Sequence, residues 1–74
     1  MIGVIGFQDE IIGLGLSGVS RLVEVESSIK KPELLKILSQ LKGLQTIFMS
    51  ERLLEMINQE KSDYDIFFIE IPEN

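Results

Sequence analysis

The chain has 74 residues, 45% of them apolar, with twelve acidic and seven basic side chains and a formal net charge of −5 at pH 7. This length suits a single domain, residues 1–74. With no Cys and no His in the sequence, disulfides, thiolate nucleophiles and the commonest metal ligand are excluded. The negative charge disfavours nucleic acid and anionic membranes, and no apolar run approaches the roughly 20 residues of a membrane span. We therefore expect a cytoplasmic protein without direct membrane insertion.

The first 19 residues organise the rest of the chain. Ile2–Gly6 is a short apolar run with β-branched residues, which is typical of a strand buried on both faces. A turn at Phe7–Gln8 follows, and Asp9 is expected to cap a glycine-rich helix over Asp9–Gly18. Three glycines within this helix predict that its backbone packs closely against a flat sheet.

The middle of the chain repeats the pattern of strand and helix. Ser20–Glu26 has the alternation of a strand, with Arg21, Val23 and Val25 on one side and Leu22, Glu24 and Glu26 on the other, and charges on one side favour an edge strand. Pro32 suits the first position of a second helix, whose leucine stripe ends at Gly43 in the C′ role. Leu44–Met49 is predicted as the third strand.

The last third predicts one more helix and one more strand. Ser50 is expected to cap the third helix, Asp65–Ile71 is the most strand-like run in the sequence, and Pro72 ends it. Strands that alternate with helices predict an α/β fold with a four-stranded parallel sheet. The expected architecture is a flavodoxin-like three-layer sandwich with strand order 2-1-3-4, the first helix on one face and the other two on the opposite face.

One face of this sheet is expected to lack cover, because few residues remain after the fourth strand for the helix that such folds usually place there. Because Glu70 is the only charge inside that strand, the side chains predicted on the bare face are those of Ile66, Phe68 and Glu70. The opposite set, Phe67, Ile69 and Ile71, would then face the two helices. A bare apolar face predicts a binding partner, self-association of the isolated domain, or closure by Asn74 folding back.

Two patterns resemble ligand sites. Residues 13–18 match G-x-G-x-x-G, but they lie inside the predicted helix rather than in the turn after the strand, so packing explains them better than a dinucleotide. Asp9, Glu10 and Glu51 follow strands and could hold Mg²⁺, as in a receiver-like signalling module, although helix capping and first-turn charge explain them better. The third strand ends in Met49-Ser50 without the phospho-accepting Asp of a receiver.

No catalytic constellation is recognisable in the sequence. The chain's serines have no His to activate them, and Tyr64 is expected to pack at the start of a strand. We expect neither enzymatic activity nor a bound cofactor or metal.

Three segments in order resemble the F subunit of the archaeal and vacuolar-type rotary ATPases. The first segment is Val4-Ile5-Gly6, followed by an acidic turn and a glycine-rich helix that ends in Gly18-Val19. The second is Ile47-Phe48-Met49-Ser50-Glu51, and the third is Ile69-Glu70-Ile71-Pro72. The resemblance implies a non-catalytic rotor subunit that packs beside the coiled coil of the D subunit in the central stalk. Such a rotor subunit helps to couple ATP turnover to ion transport on the cytoplasmic side of the membrane. Members of this family usually continue past the last motif into a C-terminal helix.

Overall fold

A computed structural model describes residues 1–12, 19–41 and 43–71. The strands are β1 (Ile2–Gly6), β2 (Arg21–Glu24), β3 (Thr46–Met49) and β4 (Phe67–Glu70). The helices are α1 (Gln8–Ile12), α2 (Lys31–Gln40) and α3 (Glu51–Met56), and a 3₁₀ turn (Lys61–Asp63) precedes β4. The predicted succession of strands and helices is therefore confirmed.

The four strands form one sheet in the order β2-β1-β3-β4, and every neighbouring pair is parallel. This confirms the predicted flavodoxin-like order, with β1 and β3 at the centre. It also confirms that β2 is an edge strand. The backbone N–H of Val25 continues the pairing beyond β2 by donating to the carbonyl of Gly6 at 3.0 Å.

Apolar side chains on the two faces of the sheet form two separate clusters. The larger cluster joins Ile5, Ile47 and Met49 of the sheet to buried residues of α2 and α3, among them Leu34 and Leu53. A smaller cluster on the other face has three buried members, Val4, Ile11 and Ile71, with Val19 and Phe48 packed against them. The helices α2 and α3 thus cover one face, which we call the two-helix face, and α1 lies on the other, the α1 face.

The prediction for the fourth strand was wrong about its faces. Ile66 and Phe68 pack against the larger cluster, so they lie on the two-helix face. Because Phe68 and Glu70 pair with Ile47 and Met49, Glu70 lies on that face too. Glu70 is exposed because it ends a strand at the edge of the sheet, where a long side chain reaches water from either face.

Three predicted helix N-termini differ in detail. Asp9 is the second residue of α1 rather than its cap. Ser50 occupies the N-cap position of α3 and is buried, but its side chain makes no capping hydrogen bond. The helix α2 begins one residue before Pro32, and the Glu33 carboxylate accepts a hydrogen bond from the backbone N–H of Lys30 at 3.3 Å.

Some predictions fall on residues outside the described ranges. They are the glycine motif at residues 13–18 together with the end of its helix, the stop at Pro72 and the folding back of Asn74.

Gly43 lies two residues after Leu41, the C-cap of α2, with a φ of 95°. It is thus one position beyond the predicted C′. A Cβ built there would meet nothing within 4 Å, so the left-handed backbone alone requires glycine. We expect Gly43→Ala to lower the free energy of unfolding by about 1–2 kcal/mol in urea titrations. The control Gln40→Ala, in exposed helix, should be neutral or slightly stabilising, and equal effects of both changes would contradict the assignment.

Candidate functional site

The most exposed apolar surface within the sheet lies on the α1 face of β3 and β4. Thr46 pairs with Phe67, and Phe48 pairs with Ile69, so these four side chains form two adjacent rows on that face. Phe67 is 68% exposed, and the other three are partly exposed. We call Thr46, Phe48, Phe67 and Ile69 the uncovered strip.

Further apolar side chains extend the uncovered strip toward β1 and β2. Ile2 pairs with Thr46 and is 38% exposed, and Leu22 of β2, on the same face, is 50% exposed. At the carboxyl end of β4 the surface closes, because Ile71 is buried against Ile11 of α1 and Val4 of β1. The open apolar area therefore covers the amino half of the α1 face. Contiguous apolar surface of this kind is typical of interaction sites.

The predicted partner-binding residues and the observed strip lie on opposite faces. Ile66, Phe68 and Glu70 are on the two-helix face, whereas Phe67 and Ile69, which the sequence pattern assigned to the helices, are on the α1 face. The run from Ile66 to Ile69 is apolar at every position. Because polar and apolar residues do not alternate there, the sequence does not indicate which side chains of this run face α1 and which face α2 and α3.

A second candidate site is the crevice at the carboxyl ends of β1 and β3, where such folds place their ligands. Here Arg52 fills part of the space. Its guanidinium carbon lies 5.3 Å from the centre of the Phe7 ring, and its Nη2 donates a hydrogen bond to the carbonyl of Ser27 at 3.0 Å. Arg52 thus ties together the segments that follow β1, β2 and β3, and this contact between the three connections is structural.

Removing the Arg52 side chain is expected to loosen these three connections. Arg52→Ala loses a cation–π contact and a charge-assisted hydrogen bond, both on the exposed surface, and should cost about 1 kcal/mol of unfolding free energy. Hydrogen exchange should rise at residues 26–28 more than in β3. The control Lys36→Ala, which removes the same charge from exposed α2, should leave exchange there unchanged. Equal exchange in both variants would contradict this role for Arg52.

The carboxylates predicted near this crevice do not assemble into a metal site in the described part of the chain. Asp9 and Glu51 are exposed in the first turns of α1 and α3, and the side chain of Glu10 lies outside the described residues. No group of three or more Asp or Glu side chains that could hold a metal ion is found among the described residues.

An open cleft of about 510 Å³ lies at the amino ends of β3 and β4. Its apolar wall includes Leu38 and Leu44, and Tyr64 stands beside the exposed carboxylates of Asp63 and Asp65. These groups could receive a polar or cationic side chain at the surface. They offer no nucleophile–base pair for catalysis.

Among the described residues, no helix combines the length and the hydrophobicity needed to cross a bilayer. The longest, α2, has ten residues, about half of what a span requires.

The fold and its surfaces define a small α/β protein with an all-parallel sheet and an exposed apolar strip. Comparison with family models, with curated proteins and with solved structures gives no match to this chain. None of the three comparisons links it to the F subunit of the rotary ATPases. Its function must therefore be inferred from the sheet, the exposed surfaces and the sequence motifs.

Proposed function

We propose that the chain is a non-catalytic interaction subunit that docks onto a helical partner through the uncovered strip. The observation that carries this proposal is Phe67, an aromatic side chain that is 68% exposed on the edge strand β4. In α/β folds, helices cover both faces of a parallel sheet, and here the apolar surface beside α1 stays partly exposed. A helix of a partner protein packed on this surface would bury it.

The particular partner we propose is the coiled coil of a rotary ATPase central stalk, with the chain in the position of the F subunit. The motif segments support this role by their placement. Val4-Ile5-Gly6, Ile47-Phe48-Met49 and Ile69-Glu70-Ile71 lie at the carboxyl ends of β1, β3 and β4, which are neighbours in the sheet. In this role the chain would sit on the cytoplasmic side, peripheral to the membrane, with the coiled-coil D subunit and other ATPase subunits as partners. It would help to couple ATP turnover to ion transport and would carry out no chemistry itself.

The test is direct binding to the recombinant two-helix central-stalk protein from the same organism, measured by titration calorimetry and native mass spectrometry. We expect a 1:1 complex for the unchanged chain. Phe67→Ser should weaken it by roughly 30-fold, because a well-buried aromatic at an interface contributes about 2 kcal/mol or more. Gln40→Ser, on the exposed surface of α2, should bind like the unchanged chain. If the unchanged chain forms no complex, the proposal is overturned.

A further inference from the structure

We infer that the element received by the uncovered strip is a single amphipathic helix whose apolar stripe is flanked by Lys or Arg. This inference builds on the proposed function, since it names the chemistry of the partner at the same surface. Two properties of the described residues support it: the width of the strip and the distribution of charge between the two faces.

The width of the strip matches one helix. Neighbouring strands lie about 4.8 Å apart, so β3 and β4 together present a lane about 10 Å wide, close to the diameter of one helix with its side chains. The helix α1 already packs on β1 through the contact of Ile11 with Val4. A second helix laid beside α1 would cover Phe48, Phe67 and Ile69, and a pair of helices would extend past the edge of β4. Docking of an amphipathic helix into such a lane is a common mode of recognition.

The charges of the chain are divided unequally between the two faces. Six of the seven basic residues are described, and none of the six lies on the α1 face. Five are in or beside α2 and α3 or in the 3₁₀ turn, and Arg21 pairs with Gly3, which places it on the two-helix face. The six described basic residues are Arg21, Lys30, Lys31, Lys36, Arg52 and Lys61.

Around the uncovered strip the described charges are acidic. Asp65 is exposed just before β4 and, because its neighbour Ile66 packs on the two-helix face, lies on the α1 face at the amino end of the strip. Glu24, also exposed, lies on the α1 face beside Leu22 in β2. An apolar surface bordered by carboxylates is complementary to an apolar stripe bordered by cations. The same border disfavours an anionic membrane and a second copy of the chain, which would bring like charges together.

The experiment uses the full chain and two synthetic helical peptides of 18 residues that share one leucine stripe. One peptide carries Lys at the flanking positions and the other carries Glu. We expect the Lys peptide to bind at least ten-fold more tightly at 50 mM salt, with amide shifts concentrated in β3 and β4. The ratio of the two affinities should fall at 0.5 M salt, because charges are then screened over a few ångströms. Phe67→Ser should weaken binding of the Lys peptide at least ten-fold.

Matched charge variants distinguish the effect of the carboxylates beside the strip on peptide binding from the effect of the chain's overall negative charge. The double variant Asp65→Asn, Glu24→Gln should weaken binding of the Lys peptide several-fold more than the double variant Glu70→Gln, Glu55→Gln. Both doubles remove two exposed carboxylates, but the second pair lies on the side of the two-helix face, at the end of β4 and on α3. Equal losses would overturn the inference, because attraction to net charge alone would explain them.

Three other outcomes would also overturn the inference. They are equal affinity for the two peptides, amide shifts concentrated in α2 and α3, and a dimer in sedimentation experiments that Phe67→Ser disperses, since a second copy would then be the occupant. The two proposals can fail separately. Binding of the Lys peptide to the strip without binding of the stalk protein would contradict the proposed function but support the inference. Binding of the stalk protein through the strip, with equal affinity for the two peptides, would support the proposed function and contradict the inference.

Discussion

Replacing Phe68 with Ser is expected to destabilise the chain by about 2–4 kcal/mol, whereas the same change at Phe67 should cost less than about 1 kcal/mol. The two residues are neighbours in β4 but face different layers. Phe68 packs against the large cluster beneath α2 and α3, and Phe67 is 68% exposed on the α1 face. A domain of this length has a total unfolding free energy of about 4–11 kcal/mol, so the loss at Phe68 would be a large share of it.

Urea unfolding followed by circular dichroism measures both variants under the same conditions. Phe68→Ser should show a much lower midpoint with an unchanged slope, and Phe67→Ser should unfold close to the unchanged chain. The pair also tests which face of β4 meets the helices. Similar midpoints for the two variants, or a greater loss at Phe67, would contradict the observed register.

The second large effect is expected at Ile47, at the centre of the two-helix face. Its side chain is fully buried, and its strand neighbours on the same face are Gly3 and Phe68. We expect Ile47→Val to cost about 1 kcal/mol and Ile47→Ala about 3–4 kcal/mol, because the truncation removes buried apolar contacts and leaves a cavity.

The control for Ile47 is its neighbour Thr46, which is partly exposed on the α1 face. Thr46→Ala should change the unfolding free energy by about 0.5 kcal/mol or less. Thermal unfolding of the three variants gives the comparison. A loss at Ile47 no larger than at Thr46 would mean that the large cluster does not stabilise the fold as its burial indicates.

The fold could be predicted because its determinants are local. Apolar runs of four to seven residues, separated by leucine stripes at helical spacing, predict alternating strands and helices. The rule that such connections make right-handed parallel crossovers then leaves few arrangements. The charges in Ser20–Glu26 also identified the edge strand correctly, since β2 ends the sheet. Its alternation holds too, because Val23 and Val25 pack inward while Leu22 is half exposed.

The orientation of β4 could not be predicted in the same way. Every residue from Ile66 to Ile69 is apolar, so its faces are decided by the register with β3, a contact between distant parts of the chain. Glu70 misled the prediction because a charge at the end of an edge strand can be exposed from either face. Within the described residues one helix lies on the α1 face and two lie on the other, as predicted, but the residues of β4 assigned to the less covered face were wrong.

The contact that ties the carboxyl end of the sheet together was also beyond the reach of sequence patterns. Arg52 and Ser27 are 25 positions apart, and nothing in the spacing of either residue indicates that they meet. Arginine in the first turn of a helix is ordinarily a solvated side chain. Only the meeting of the three connections at the carboxyl end of the sheet brings it over Phe7.

The parallel arrangement has a consequence for how the chain reaches its native state. β1 cannot find its central neighbour until Thr46–Met49 has left the ribosome, and in the interval it can pair only with the edge strand β2. Non-local pairing of this kind slows folding. A nascent chain halted before β3 should therefore present Val4 and Ile5 to chaperones, and the sheet should assemble late in synthesis.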